Sequence, residues 1–407
     1  MDYKSKSLCR IRTVTFFLTL HKDKTQWESA LYSVKCEVDL LLPAIQKSGY
    51  VLQSIRIITN PFGEYLDLTD VKSAKADLQY LTNLLNKLNE SGIRIRFAIG
   101  AATNAQEIAL LPELIAGYGD LCNACVNVPL DENGVLNNHL IEQSVNAVQR
   151  IAQITLRAEG NFNFTVNFNC KPFIPYFPAG YHLSHLPNSF VIGLETPDLL
   201  VEALKSVSKS SHNQFYADCY HSMSSALQYH VDEILATLSA VKLSGNFEFV
   251  GIDSSAAPSK NCASITELYE LMGVPYFGAA GTVEVSALLT KVFKSVQNVP
   301  LVGFSGLMLA VTEDLGLAQG TQQGQFDIRS LLTYSAVCGI GLDTVPVAGN
   351  ASAESITAIM RDTGTMAFRL NKPLTVRLFP IPNKIAGEIS EFDSDDLCNC
   401  RILGIPY

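Results

Sequence analysis

The sequence predicts an α/β protein, a mostly parallel sheet wrapped by helices, from three observations. Apolar residues switch repeatedly between a period near two and a period near 3.6, the switch appears in at least two successive helix-then-strand units, and the charged fraction is low. At 407 residues the chain fits either two domains or one large α/β barrel. No Pro, Gly and Ser-rich linker divides it and no internal repeat is evident, so residues 1–407 are expected to form one domain.

The elements follow in order. Thr13 to Leu18 is a first strand: its apolar run is short and leads into His21-Lys22-Asp23-Lys24, not into the small-residue cleavage site of a signal peptide. Leu78, Leu81, Leu85 and Leu88 share one helical face, and Ser91-Gly92 stops that helix. Ile93, Ile95, Phe97 and Ile99 then alternate with Arg94, Arg96 and Ala98, the period of a strand with one face more buried. A second unit pairs a stripe of Ile141, Val145, Val148 and Ala152 with the alternating strand Phe162 to Phe168. Farther on, a helix from Met223 to Leu238 precedes a strand from Phe247 to Ile252. Ser264 and Glu267 form a capping box before Leu268 and Leu271, and Gly273 closes that helix.

Hydrophobic residues make up 47% of the chain and charged residues 17%, so much surface has to be buried internally or by a partner copy, and a homodimer is expected. A net charge of −9 and a pI near 5.3, without a basic run, argue against nucleic acid. No segment has the length of a membrane span. The ten cysteines lack the spacing of a secreted disulfide framework, which predicts free thiols and a cytoplasmic protein. Cys122-x-x-Cys125 with Cys398-x-Cys400 as a zinc site is the less favoured alternative.

Polar residues at strand ends are the expected ligand site, because α/β proteins bind beyond strand C-termini. The strand at Phe247 to Ile252 runs into Asp253-Ser254-Ser255. Asp253 leads the acid–base candidates and Ser254 and Ser255 the ligand-binding ones; the alternative is that these side chains only organise the loop. Gly281 and Thr282 precede a helix whose free N–H groups suit an anion, although close packing would also explain the small residues. Ser305 and Gly306 lead through the apolar strand Leu307 to Val311 to Glu313 and Asp314. Cys338, before another apolar stretch, is a candidate nucleophile set against simple packing. Asn167 ends the strand at Phe168, His182 is the histidine best placed for proton transfer, and Glu195 ends a strand through Ile192 to Leu194.

Ordered blocks make the chain similar to domain-of-unknown-function family 711 (UPF 0210) from about Ile11 to Phe379. They include Ile11-Arg12-Thr13-Val14-Thr15, Val126-Asn127, Pro172-Phe173 with Tyr181-His182, Asp253 to Pro258, Gly278 to Thr282, Phe304-Ser305-Gly306 with Thr312-Glu313-Asp314, and Val337 to Asp343. The resemblance implies an α/β barrel similar to that of glycyl radical enzymes, dimeric members and no settled activity. Ala279-Ala280-Gly281-Thr282 stands where Thr-His-Gly-Thr is expected, and Glu195-Thr196 where Ser-Gly is usual, which suggests a divergent member with a different ligand. Arg401 to Ile405 has the look of a glycyl radical loop with Cys338 as thiyl partner. Only three residues follow Gly404, however, and non-radical chemistry is expected.

The function expected is a small-metabolite enzyme using Asp253, His182 and Glu195 in acid–base roles, with a non-catalytic metabolite-binding or regulatory dimer as the alternative. The cofactor is unknown. A divalent cation, Mg or Ca, held by Asp253, Glu195, Glu313, Asp314 or Asp343 is a further option.

Overall fold

The computed structural model describes residues 3–208 and 212–407. Strand β1 (Arg10–Leu18) is followed by α1 (Trp27–Lys47), β2 (Ile55–Thr59), α2 (Val71–Leu88) and β3 (Ile95–Ala98). Ile99 alone separates β3 from β4 (Gly100–Ala102), after which come α3 (Ala105–Tyr118), β5 (Ala124–Val128), α4 (Asn138–Ile154) and β6 (Phe164–Phe168). Next are β7 (Ser189–Glu195), α5 (Pro197–Lys205), α6 (His212–Ser239), β8 (Glu248–Asp253), α7 (Thr266–Leu271), α8 (Thr282–Phe293) and α9 (Leu315–Gln322). The chain continues through α10 (Ile328–Ser335), β9 (Gly341–Ala348), α11 (Ala353–Arg369) and β10 (Leu374–Ile381).

The strands form two five-stranded sheets of matching design, β3-β2-β1-β7-β8 and β4-β5-β6-β10-β9. Each has three consecutive parallel strands, then an antiparallel step, β1 to β7 or β6 to β10, then one more parallel partner. Beyond the edge strands, Leu301 bridges Ile252 of β8 and Ala310 bridges Asp343 of β9.

Both faces of each sheet are covered, which explains why several strands read as nearly continuous apolar runs. On β1, Val14, Phe16 and Leu18 pack outward with helix residues such as Leu31, Val34 and Leu78. Phe17 faces the other way, beside Ile58, Ala98 and Val191, against Phe173 and Phe177 of a segment lying on the inner face. That segment touches both sheets. The Thr15 hydroxyl donates to the Pro175 carbonyl (2.9 Å), the His182 N–H to the Thr59 carbonyl (3.3 Å), and the Asn167 amide to the Ala179 carbonyl (2.9 Å). The segment's own turn requires Gly180, where a Cβ would lie 2.4 Å from the Ile174 carbonyl oxygen.

Side-chain caps fix helix starts. Asp70, Asn104, Asn137 and Ser352 accept from the N–H groups of Ser73, Glu107, Leu140 and Ser355, and Asp327 forms a capping box with Ser330, each worth about 1 kcal/mol. The box expected at Ser264 is half present: the Glu267 carboxylate accepts the Ser264 N–H at 3.2 Å, but the Ser264 hydroxyl donates to Asp314 at 2.5 Å. The apolar run Leu307 to Val311 is not a strand and has one isolated bridge, at Ala310. The turn before it prevents pairing: Gly303 and Ser305 take positive φ (63° and 39°), and Gly306 lies so close to Gly339 that a Cβ would sit 2.8 Å from its Cα. Among the described residues, no helix is long and apolar enough to cross a membrane.

Candidate functional site: an arginine-lined cavity between the sheets

Three arginines punctuate strands that are otherwise mainly apolar: Arg12 on β1, Arg56 on β2 and Arg96 on β3. Alternation puts Arg56 and Arg96 on the inner face while their Ile and Phe neighbours pack outward, and on β1 the register shift between Ile11 and Thr13 turns Arg12 to that face, out of step with Val14, Phe16 and Leu18. The three arginines line one cavity of about 470 Å³, whose walls also include Thr165, Asp343, Thr375 and Arg377 of the second sheet and Tyr176 to Ala179 of the inner segment.

The arginine wall is incompletely neutralised. Arg12 donates to Gln53 Oε1 (3.0 Å) and lies 3.5 Å from Glu195 Oε2, but Glu195 also serves Arg10 (2.8 Å) and the Gln53 amide (2.7 Å). Arg56 and Arg96 make no ion pair among the described residues. The Arg56 guanidinium stacks over Phe177, 4.9 Å from the ring centroid, and its Nε is buried without a hydrogen-bond partner. Burial first, then the charges of Arg12 and Arg96, pull its pKa down to about 9. It is still a cation at neutral pH; the residue is half-buried, and leaving its buried Nε–H without a partner is costly.

The facing wall is acidic. Arg377 of β10 is held by both oxygens of Asp343 (2.7 and 3.0 Å), by Glu313 Oε1 (2.6 Å) and by the Phe162 carbonyl (3.2 Å). Burial raises the Glu313 pKa, the Arg377 charge opposes that, and Asp343 reinforces it.

The residues singled out from sequence have other surroundings. Asp253 and Ser305 do meet, but through backbone: Asp253 accepts the N–H groups of Phe304 (2.8 Å), Ser305 (3.1 Å) and Ser255 (3.0 Å). Ser255 Oγ accepts the Gly306 N–H (3.0 Å), Ser305 Oγ accepts the Ser254 N–H (3.3 Å), and Ser254 Oγ donates to the Phe293 carbonyl (2.7 Å). The cluster braces the turn that presents Phe304 to the cavity. Burial pushes the Asp253 carboxyl upward against these bonds.

His182 is elsewhere. Sheet register aligns Asp253 with Gly193 and Thr13, whereas His182 binds Thr59, which is aligned with Leu18. The five-residue offset is ~17 Å along the strands. The cause is the antiparallel step between β1 and β7, so strand C-termini do not all reach one face as a uniformly parallel sheet would require. The His182 ring is fully buried beside Phe17, with neither nitrogen bonded among the described residues, and burial, then His185, lowers its pKa to about 4. Thr282 stands at the start of α8 while Phe293, which meets Ser254, ends it, so Thr282 and Gly281 lie about 16 Å away. The Thr282 hydroxyl donates to Ala279 O (2.7 Å) and accepts from Gly278 N (3.0 Å). Cys338 is buried, its sulfur accepting the Gly341 N–H at 3.4 Å. Asn167 donates to Asn127 Oδ1 (2.9 Å) besides Ala179.

The carboxylates considered for a cation are dispersed. Asp253 binds amides, Glu195 binds arginines, Glu313 and Asp343 share Arg377, and Asp314 caps α9 by accepting Leu317 N (3.0 Å) while its other oxygen accepts Ile265 N (2.8 Å) ahead of α7. Among the described residues, no three His, Cys, Asp or Glu side chains gather as a metal donor set, the cysteine pairs included. The arginines themselves were legible as single charges inside apolar strands, in Ile55-Arg56-Ile57 and Val376-Arg377-Leu378; which strands stand opposite one another was not.

The chain matches the family described as Uncharacterised ACR (DUF711) over residues 4–394. It is similar to a UPF0210 protein of Pyrobaculum aerophilum, 27% identical over 366 residues that cover 86% of this chain and 78% of the relative. A UPF0210 protein of Ligilactobacillus salivarius is 26% identical over 296 residues, 70% of this chain and 63% of the relative. One of Oenococcus oeni is 22% identical over 370 residues, 86% of this chain and 81% of the relative.

Proposed function

The chain belongs to the DUF711 family, and from that premise we propose that it is a cytoplasmic small-metabolite enzyme whose ligand carries an anionic group, a carboxylate or phosphate, bound on Arg12, Arg56 and Arg96 in the cavity between the sheets. The observation that carries this reading is Arg56, a cation whose buried Nε has no partner beside two further arginines. Like charges on adjacent strands destabilise a sheet, and a bound anion removes that cost while satisfying the guanidinium. Arginine suits the task because its planar fork matches carboxylate and phosphate oxygens.

In this proposal the two sheets are halves of one barrel-like domain similar to the glycyl radical enzyme barrel. The single residue Ile99 between β3 and β4, and the bridges of Leu301 and Ala310, support this at the two seams. The chemistry is non-radical. Two copies form a dimer, favoured by the high apolar fraction and by exposed Tyr32 and Leu40 on α1; light scattering giving only monomer at micromolar concentration would remove that part of the proposal. Ten free thiols support the cytoplasmic assignment.

A non-catalytic binding protein is the second reading. It is favoured by the saturation of Asp253 and Glu195 with hydrogen-bond donors and by the distance of His182, which leave these three without a role at the cavity. Thermal melting with inorganic phosphate and with malonate tests the shared premise. Either anion should raise the melting temperature of the wild type and leave Arg56→Met unmoved. Indifference of the wild type to both sinks the anion site.

A further inference from the structure

Resting on the anion site just described, we infer that Glu313 is the catalytic acid–base residue, taking a proton from a C–H beside a carbonyl in a small oxo-carboxylate anchored on the arginine wall. Glu313 differs from the other interior carboxylates in its free valence. Asp343 gives both oxygens to Arg377, Asp253 gives both to backbone amides, and Glu195 gives both to arginines and Gln53. Glu313 gives Oε1 to Arg377, while Oε2 takes no hydrogen bond among the described residues, and the side chain lines the cavity.

The groups that act on Glu313 come from separate elements: Arg377 on β10, Asp343 on β9, Arg12 on β1 and Asp396 near the C-terminus, while Arg56 on β2 feels its charge in return. Burial and Asp343 favour the protonated carboxyl and Arg377 and Arg12 favour the carboxylate, a balance suited to a group that must hold and release a proton. In the step, an O–H bond forms on Glu313 as the ligand C–H breaks. The electron pair stays on the ligand as an enolate, whose negative charge faces Arg12 and Arg56. Return of the proton to another ligand atom completes a tautomerisation and restores the carboxylate, without any co-reactant. Arg377 is a positioning residue: it fixes the Glu313 carboxylate and leaves one oxygen toward the cavity.

Two probes test the assignment in the full-length protein. Malonate is titrated calorimetrically at pH 7 in two buffers of different ionisation heat, which gives the protons exchanged on binding. Pyruvate is incubated in D2O and its methyl deuteration followed by proton NMR. Wild type should bind malonate with net proton uptake, because the second carboxylate of the dianion stands in for the enolate charge, the stage at which Glu313 holds the proton, and should deuterate pyruvate, a monoanion, at least tenfold faster than buffer. Glu313→Gln should keep malonate binding, lose the proton uptake and lose the deuteration. Failure of wild type to bind malonate overturns the anion site itself. Binding with proton uptake unchanged in Glu313→Gln, binding by wild type without uptake, or no deuteration above buffer, overturns the role of Glu313 and leaves the anion site standing.

Discussion

Arg56 on β2 and Arg96 on β3 are register partners in adjacent parallel strands, and both line the cavity between the sheets. Two cations side by side on a sheet face cost free energy, and the Phe177 ring under Arg56 offsets about 0.5–1 kcal/mol of it.

Removing one of the pair should therefore not harm the ligand-free fold. Arg56→Met keeps the apolar stem and is expected to match or exceed wild-type stability by up to about 1 kcal/mol at low salt. Added salt should narrow the difference by screening the wild-type repulsion. Urea melts at two ionic strengths measure both, and a variant that loses stability at low salt contradicts the account of the wall.

Arg377 is the opposite case. Its loss leaves Glu313 and Asp343 buried side by side without their cation, so Arg377→Met should cost about 3–5 kcal/mol. Adding Glu313→Gln and Asp343→Asn should recover part of that. Chemical denaturation of the single and triple variants decides it, with no recovery counting against the triad as the source.

Asp253→Asn probes the brace under Phe304. The carboxylate accepts three backbone N–H groups, and an amide replaces one acceptor oxygen with a donor facing them. A loss of about 2–3 kcal/mol is expected, measured by urea denaturation. A variant as stable as wild type but deficient in anion binding would instead place Asp253 in direct contact with ligand.

His182 supplies a pH dependence. Its folded pKa is lowered to about 4 by burial, with His185 adding to the shift, whereas the unfolded value is about 6.5. Above both values the ring is neutral in both states and contributes no pH dependence. As pH falls below about 6.5 the unfolded chain takes up the proton first, so stability drops until the folded pKa is reached. The loss at pH 5 should be roughly 2 kcal/mol relative to pH 7. His182→Phe should flatten this part of the stability profile, and an unchanged profile would assign the acid sensitivity to other groups.

All ten cysteines are free thiols, and burial pushes Cys9, Cys170 and Cys400 up to about 12. Alkylation under denaturing, non-reducing conditions should add ten groups by intact mass. A reproducible deficit would mean bridges.

The sequence by itself determined the elements and their faces. The leucine stripe of α2, the alternation of β3, the stripe of α4 and the strand entering Asp253 are local periodicities, set by which residues must leave water, and they formed where expected. It failed at Leu307 to Val311, where the apolar run is right for a strand but two positive-φ residues and a carboxylate that captures the preceding amides deny it a partner. Strand direction was decided only in three dimensions. The antiparallel steps from β1 to β7 and from β6 to β10 depend on long-range pairing that no local pattern encodes. They separate His182 from Asp253 and bring the start of β1, β2 and β3 opposite Glu313, Asp343 and Arg377. Arg12, Arg56 and Arg96 are readable one at a time as charges inside apolar strands; that they share a wall follows from register, and that the wall faces a carboxylate with an open oxygen follows from how the second sheet is placed.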